Sequence, residues 1–156
     1  METRLTPILL AEDDPEDVYL ISEALDENQI TNPLFIVENG EELLDYLHHE
    51  GKYTDTKLFP RPGLILLDLN MPLLDGREAL EVIYQDPDLR QIPVVVLTTS
   101  DAEEDVEVSY RFGAKGYVTK PVTFKGLLEN LKTIGEYWLD VVKLPEGEEN
   151  KEKQSS

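Results

Sequence analysis

Five short apolar runs recur along the chain, each separated from the next by an amphipathic stretch, and few folds accommodate that alternation. The runs are Ile8-Leu9-Leu10-Ala11, Leu34-Phe35-Ile36-Val37, Leu64-Ile65-Leu66-Leu67, Val94-Val95-Val96-Leu97 and Gly116-Tyr117-Val118-Thr119. The first, third and fourth show no polar alternation, so they are expected as central strands buried on both faces. Between them, apolar residues at helical spacing predict helices over 15–28, 41–49, 77–85, 102–112 and about 123–143. The first has the strongest start: Asp14 as N-cap, Pro15 in the first turn and Asp17 two residues on. Five such units in order predict an α/β fold, a doubly wound five-stranded parallel sheet with helices on both faces.

A chain of 156 residues fits one domain, expected over 1–144 with its core at about 6–136. Segment 51–63, with Pro60 and Pro62, reads as a long surface loop, and the polar segment 145–156 as a disordered tail. There are 33 Asp and Glu residues against 14 Lys and Arg, a net charge of −19. A field that negative repels phosphates, so neither nucleic acid nor an anionic membrane is an expected partner, and divalent cations become the expected ligands. The absence of cysteine excludes a disulfide framework, a thiolate nucleophile and Cys-ligated metal sites. No export signal opens the sequence, and no apolar stretch approaches the roughly 20 residues that span a bilayer. A soluble, cytoplasmic protein is the expectation.

In a doubly wound sheet, ligands bind beyond the carboxyl ends of the strands. Those ends carry Glu12-Asp13-Asp14, Asp68, Thr98-Thr99-Ser100 and Lys120-Pro121. Carboxylates from Glu12, Asp13 and Asp68 crowded together are costly unless a cation sits among them, and Mg²⁺ suits one or two carboxylates plus a backbone carbonyl. The remaining acids of the 12–17 block, Asp14, Glu16 and Asp17, read as a solvated helix start favoured by the helix dipole. Asp68 follows four apolar residues and precedes Leu69-Asn70-Met71-Pro72, where a buried strand emerges into a loop. A carboxylate there can attack phosphorus if a metal and an ammonium neutralise the phosphoryl oxygens, with Lys120 the candidate ammonium and Thr98 the candidate hydroxyl donor.

These motifs, with Asp75-Gly76 and Gly113-Ala114-Lys115-Gly116-Tyr117-Val118-Thr119-Lys120-Pro121, resemble the receiver domain of two-component response regulators over about residues 6–136. The resemblance implies the flavodoxin-like strand order 2-1-3-4-5 and a phosphoacceptor rather than an enzyme. It implies that Asp68 takes a phosphoryl group from a histidine kinase. Asp13, Asp68 and the Asn70 backbone carbonyl would bind Mg²⁺, with Glu12 acting through water. Thr98 and Lys120 would contact the phosphoryl group, Tyr117 would be the switch aromatic, and Asn70 and Ser100 would tune the lifetime of the acyl phosphate. A cis Lys120–Pro121 peptide is also implied.

The last apolar stripe outruns the three or four turns with which receiver domains usually end. Tyr137, Trp138, Val141 and Val142 would lie over little of their own core, so a homodimer through this extended C-terminal helix is expected; the competing expectation is that the extension folds back. The 51–63 loop and this tail resemble the single-domain regulators paired with cyanobacterial phytochrome-type histidine kinases, which implies such a kinase as partner. Three other functions compete: a receiver-like interaction module that works without phosphorylation, an aspartate-nucleophile phosphatase, and a flavodoxin-like electron carrier, whose flavin phosphate the carboxylates after the first run would repel. The phosphatase would carry a second acid where Asn70 stands.

Overall fold

A computed structural model describes residues 5–141, with side chains described as far as Leu139. Its strands are β1 (Ile8–Ala11), β2 (Leu34–Val37), β3 (Leu64–Leu67), β4 (Val94–Thr98) and β5 (Gly116–Thr119). Its helices are α1 (Pro15–Glu27), α2 (Gly40–His48), α3 (Gly76–Gln85), α4 (Glu103–Arg111) and α5 (Phe124–Gly135). All strand pairs are parallel and the order is β2-β1-β3-β4-β5, as the resemblance implied. The three runs without polar alternation occupy the three inner positions, and every residue of β1, β3 and β4 is buried.

The pleat divides the core in two. Leu9, Ala11, Ile65, Leu67 and Val96 pack with Leu43, Tyr46, Leu80 and Ile83 of α2 and α3. The alternate residues Ile8, Leu10, Leu64, Leu66, Val95 and Leu97 pack with Ile21 and Leu25 of α1 and Leu127 and Leu131 of α5. A parallel sheet covered on both faces demands that period-two division of otherwise continuous apolar runs. Asp14 caps α1 by accepting from the Glu16 amide at 2.9 Å, with Pro15 opening the helix. A reciprocal capping box of Asp75 and Glu78 starts α3.

One expectation is refined and two change. The 51–63 segment is tied down: a 3₁₀ turn at Gly51–Tyr53 buries Tyr53, whose ring packs on Tyr46 and Phe59. The Lys120–Pro121 peptide is trans, like every peptide bond among the described residues. Trans is the lower-energy X-Pro isomer by about 0.5–1 kcal/mol, and the ion pairs of Lys120 are made with it in place. Third, α5 does not run on uniformly. Beyond Gly135, which lies so close to Ile30 that an added Cβ would sit 2.6 Å from its Cδ1, the helix widens into a π-helical segment at Glu136–Val141. Trp138 and Leu139 there fold back against the α1–α5 side of the core, while Tyr137 is exposed. Of the four residues expected at a dimer interface, Trp138 thus has a partner surface within its own domain. The side chain of Val141, residue Val142 and the 145–156 segment lie outside the described residues.

A candidate acidic site at the carboxyl edge of the sheet

Register brings the site residues together. Ala11 of β1 stands level with Leu67 of β3, so the residues that follow them, Glu12 and Asp68, emerge side by side. Backbone bonds hold that level: the Asp68 amide donates to the Ala11 carbonyl at 3.0 Å, and the Lys120 amide to the Thr98 carbonyl at 2.7 Å. One carboxylate oxygen from each of Glu12, Asp13 and Asp68 lies within 4.8 Å of the others. Glu12 and Asp68 are buried, and Asp13 is exposed on the rim.

Asp68 is held asymmetrically. Its Oδ1 accepts from the Thr98 hydroxyl at 2.7 Å and from the Asn70 backbone N–H at 3.2 Å, while Oδ2 faces the Lys120 ammonium at 3.6 Å. Lys120 in turn donates to Glu12 Oε1 at 2.6 Å and to Asp17 Oδ2 at 2.8 Å. Burial disfavours the lysine charge, but the bonds to Asp17 and Glu12 and the neighbouring charge of Asp68 outweigh it and hold the ammonium above its ordinary value. Burial, reinforced by the charge of Asp68, pushes the Glu12 carboxyl up to about 7 against the pull of Lys120. Two buried carboxylates with one shared ammonium leave an excess of negative charge, and the all-oxygen donor set fits a hard divalent cation. Glu12, Asp13 and Asp68 each bring one carboxylate oxygen to the place where such a cation would sit.

Asp17, expected as a solvated helix-start acid, instead bonds Lys120. Its partner Lys120 lies 103 residues away, a contact only the fold creates. Tyr117 is half-buried on β5, and its hydroxyl donates to the Ser100 carbonyl at 2.8 Å. Asn70 is exposed and turns its Nδ2 toward Thr98 Oγ1 at 3.5 Å.

Sequence reasoning missed Arg77, in the first turn of α3. Its guanidinium forks onto Asp105 of α4, from Nε at 2.7 Å and from Nη2 at 2.8 Å, and also reaches Asp75 and the Leu69 carbonyl. The bonds from Arg77 and from the Ser100 hydroxyl hold the Asp105 carboxyl down at about 2. A signal was available in retrospect: an arginine in the first turn opposes the helix dipole and needs a compensating acid.

Comparison with known proteins agrees with this architecture. The response regulator receiver domain model matches residues 8–132. Response regulator Rcp1 from Synechocystis sp. is 45% identical over 138 residues, 88% of this chain and 92% of that protein. The crystal structure of the phosphorylated cyanobacterial phytochrome response regulator RcpA superposes with a TM-score of 0.84 at 42% identity, covering 91% of this chain and 99% of that one. The Mn²⁺-bound form of Rcp1 gives 0.82 at 44%, covering 90% and 99%. With a family model spanning most of its length and relatives this similar over nearly their whole lengths, the chain belongs to the response regulator receiver domain family of two-component systems.

Proposed function

We propose that the chain is a phosphoacceptor that takes a phosphoryl group from a histidine kinase onto Asp68 and passes the signal on through altered protein contacts. One observation carries this reading: a buried carboxylate, Asp68, shares its surroundings with two further acids, one ammonium and one hydroxyl. Oδ2 is the attacking atom, because Oδ1 is engaged by Thr98 and the Asn70 backbone N–H. As Oδ2 bonds to phosphorus, the P–N bond of the phosphohistidine breaks and its electron pair returns to the imidazole, which takes up a proton. Lys120 lies where it can turn from Glu12 and Asp17 toward the incoming phosphoryl oxygens, and Thr98 can redirect its hydroxyl to them. Mg²⁺, when bound, supplies charge neutralisation for the same oxygens. Asp13, Asp68 and the Asn70 carbonyl would hold it, with Glu12 reaching it through water. Withdrawal of the Thr98 hydroxyl toward phosphate opens space beside β4, and Tyr117 is the aromatic that answers it. The group is accepted and later lost to water, so the chain assists its own chemistry without turning over an external substrate.

Residues 1–144 act as a single receiver unit followed by the polar 145–156 tail. The partner kinase is of phytochrome type, supported by similarity to RcpA, the phytochrome response regulator. A homodimer forms along edge strand β5, where Tyr110, Tyr117, Val118 and the exposed Tyr137 line an open groove. Truncation after Glu136 should shift the sedimentation coefficient to that of a monomer; an unchanged dimer removes the extension from the interface.

The decisive experiment for the phosphoacceptor role is intact mass after treatment with acetyl phosphate or a phosphorylated histidine kinase in Mg²⁺. The wild type should gain one phosphoryl group and Asp68→Asn none. No gain by the wild type would instead favour the interaction module that works without phosphorylation.

A further inference from the structure

The Arg77 guanidinium spends all five of its N–H donors on named acceptors although the side chain is 31% exposed. Nε and one Nη2 proton go to Asp105, the Nη1 protons go to Asp75 and the Leu69 carbonyl, and the remaining Nη2 proton goes to Asn70 Oδ1 at 3.3 Å. The cluster is anchored from the far side as well. Asp105 accepts from the Ser100 hydroxyl, and the Ser100 carbonyl accepts from Tyr117. A cation at the start of a helix works against the dipole, and local rules broken in this way concentrate at functional sites.

The consequence falls on Asn70. A carboxamide has a donor end and an acceptor end, and Arg77 occupies the acceptor. Oδ1 is drawn outward to the guanidinium, and the Nδ2 end faces Thr98 Oγ1, beside the reactive carboxylate. A phosphoryl group on Asp68 would therefore meet an N–H donor from Asn70 and no acceptor.

That distinction bears on how the acyl phosphate is lost. In hydrolysis a water oxygen bonds to phosphorus while the P–O bond to Asp68 breaks. The electron pair of that bond returns to the carboxylate, and a water proton ends on the released phosphate. An acceptor oxygen near phosphorus orients the attacking water and takes its hydrogen bond in the transition state. We propose that Arg77 is a positioning residue that prolongs the phosphorylated state by holding the Asn70 oxygen away from the attacking water, with Asp105 fixing the guanidinium in that pose. The proposal rests on Asp68 being the phosphoacceptor.

The test follows decay of the loaded protein by intact mass after removal of acetyl phosphate, in wild type, Arg77→Met, Asn70→Ala and the double variant. Arg77→Met should lose its phosphoryl group about tenfold faster, short of the 10²–10⁴ an optimally placed group supplies. Asn70→Ala and the double variant should decay at the same rate as each other, because without the carboxamide Arg77 has nothing to hold back. A wild-type decay rate in Arg77→Met overturns the proposal. So does an equal acceleration with and without Asn70, which marks a merely structural effect. Arg77→Lys keeps the charge and loses the fork, so wild-type decay in that variant also overturns it. Should Arg77→Met fail to fold, Asp105→Asn frees one side of the fork and must itself accelerate decay. Failure of the wild type to load at all is a separate result, which overturns the phosphoacceptor reading and this inference with it.

Discussion

Asp105 stands 28 residues from the arginine that fixes it, and its carboxyl, held at about 2 against an ordinary 3.8, offers a measurement of that bond independent of any phosphoryl chemistry. A folded-state value below the unfolded one means the unfolded chain binds the proton more readily. The ion pair thus contributes its full stabilisation above pH 4 and loses it as the pH falls through about 2. Replacing Asp105 with Asn should lower stability at pH 7 by about 1 kcal/mol, the upper range for a pair this exposed, or roughly 2–4 °C in Tm. The difference between wild type and variant should shrink steadily from pH 4 to pH 2; a gap that stays constant would show that the loss is packing and not charge. Glu12, Asp13, Asp68, Thr98 and Lys120 were legible in the sequence because each follows or ends an apolar run, and a parallel sheet places such positions along one rim. Asp17 and Arg77 were not. Capping and dipole preference account locally for an acid in the first turn of α1, while the acids that justify Arg77 include one on a different helix.

Where α3 meets the loop after β3, two elements approach so closely that one residue type fits. A Cβ added to Gly76 would lie 2.3 Å from the Asp68 carbonyl oxygen and 2.7 Å from Leu69 Cα, both backbone atoms that cannot rotate aside. The helix start therefore presses against the loop that carries Asp68, and the Gly76 amide donates to the Leu69 carbonyl at 3.0 Å. Gly76→Ala should cost about 1–3 kcal/mol, as overpacking does, and slow phosphoryl uptake because the Asp68 loop must shift. Gly116→Ala is the control: its Cβ would meet Val95 at 3.6 Å, an ordinary contact, and thermal unfolding should change little. Equal effects from the two substitutions would remove the close approach as the cause. The same kind of contact explains what pattern reading of the elements missed. The three inner strands followed from continuous apolar runs, since burial on both faces leaves no other composition. The end of α5 did not follow, because its apolar stripe continues past Gly135 while the switch to π-helical winding occurs where the helix meets Ile30. The 51–63 segment was recognisable as a loop from its prolines, but its anchoring depends on Tyr46, an aromatic on the preceding helix.

At the scale of the whole molecule, a net charge of −19 repels itself in the compact state, and its sharpest concentration coincides with the candidate cation site. Any divalent salt relieves that repulsion, so stabilisation by Mg²⁺ alone would not distinguish a site from general screening. No helix among the described residues is long and apolar enough to cross a membrane. A ligand that binds only the folded state at 100 times its Kd adds about 2.7 kcal/mol, roughly 5–10 °C for a domain of this size. The comparison that separates the two effects is Mg²⁺ against NaCl at matched ionic strength. The wild type should gain several degrees more from Mg²⁺, and Asp13→Asn should lose that surplus while keeping the response to salt. Asp13 suits this purpose because it is exposed and its substitution leaves the Lys120 bonds to Glu12 and Asp17 in place. If Asp13→Asn retained the full surplus, the acids at the sheet edge would be part of a diffuse field, and the binding of Mg²⁺ would have to be sought elsewhere on the acidic surface.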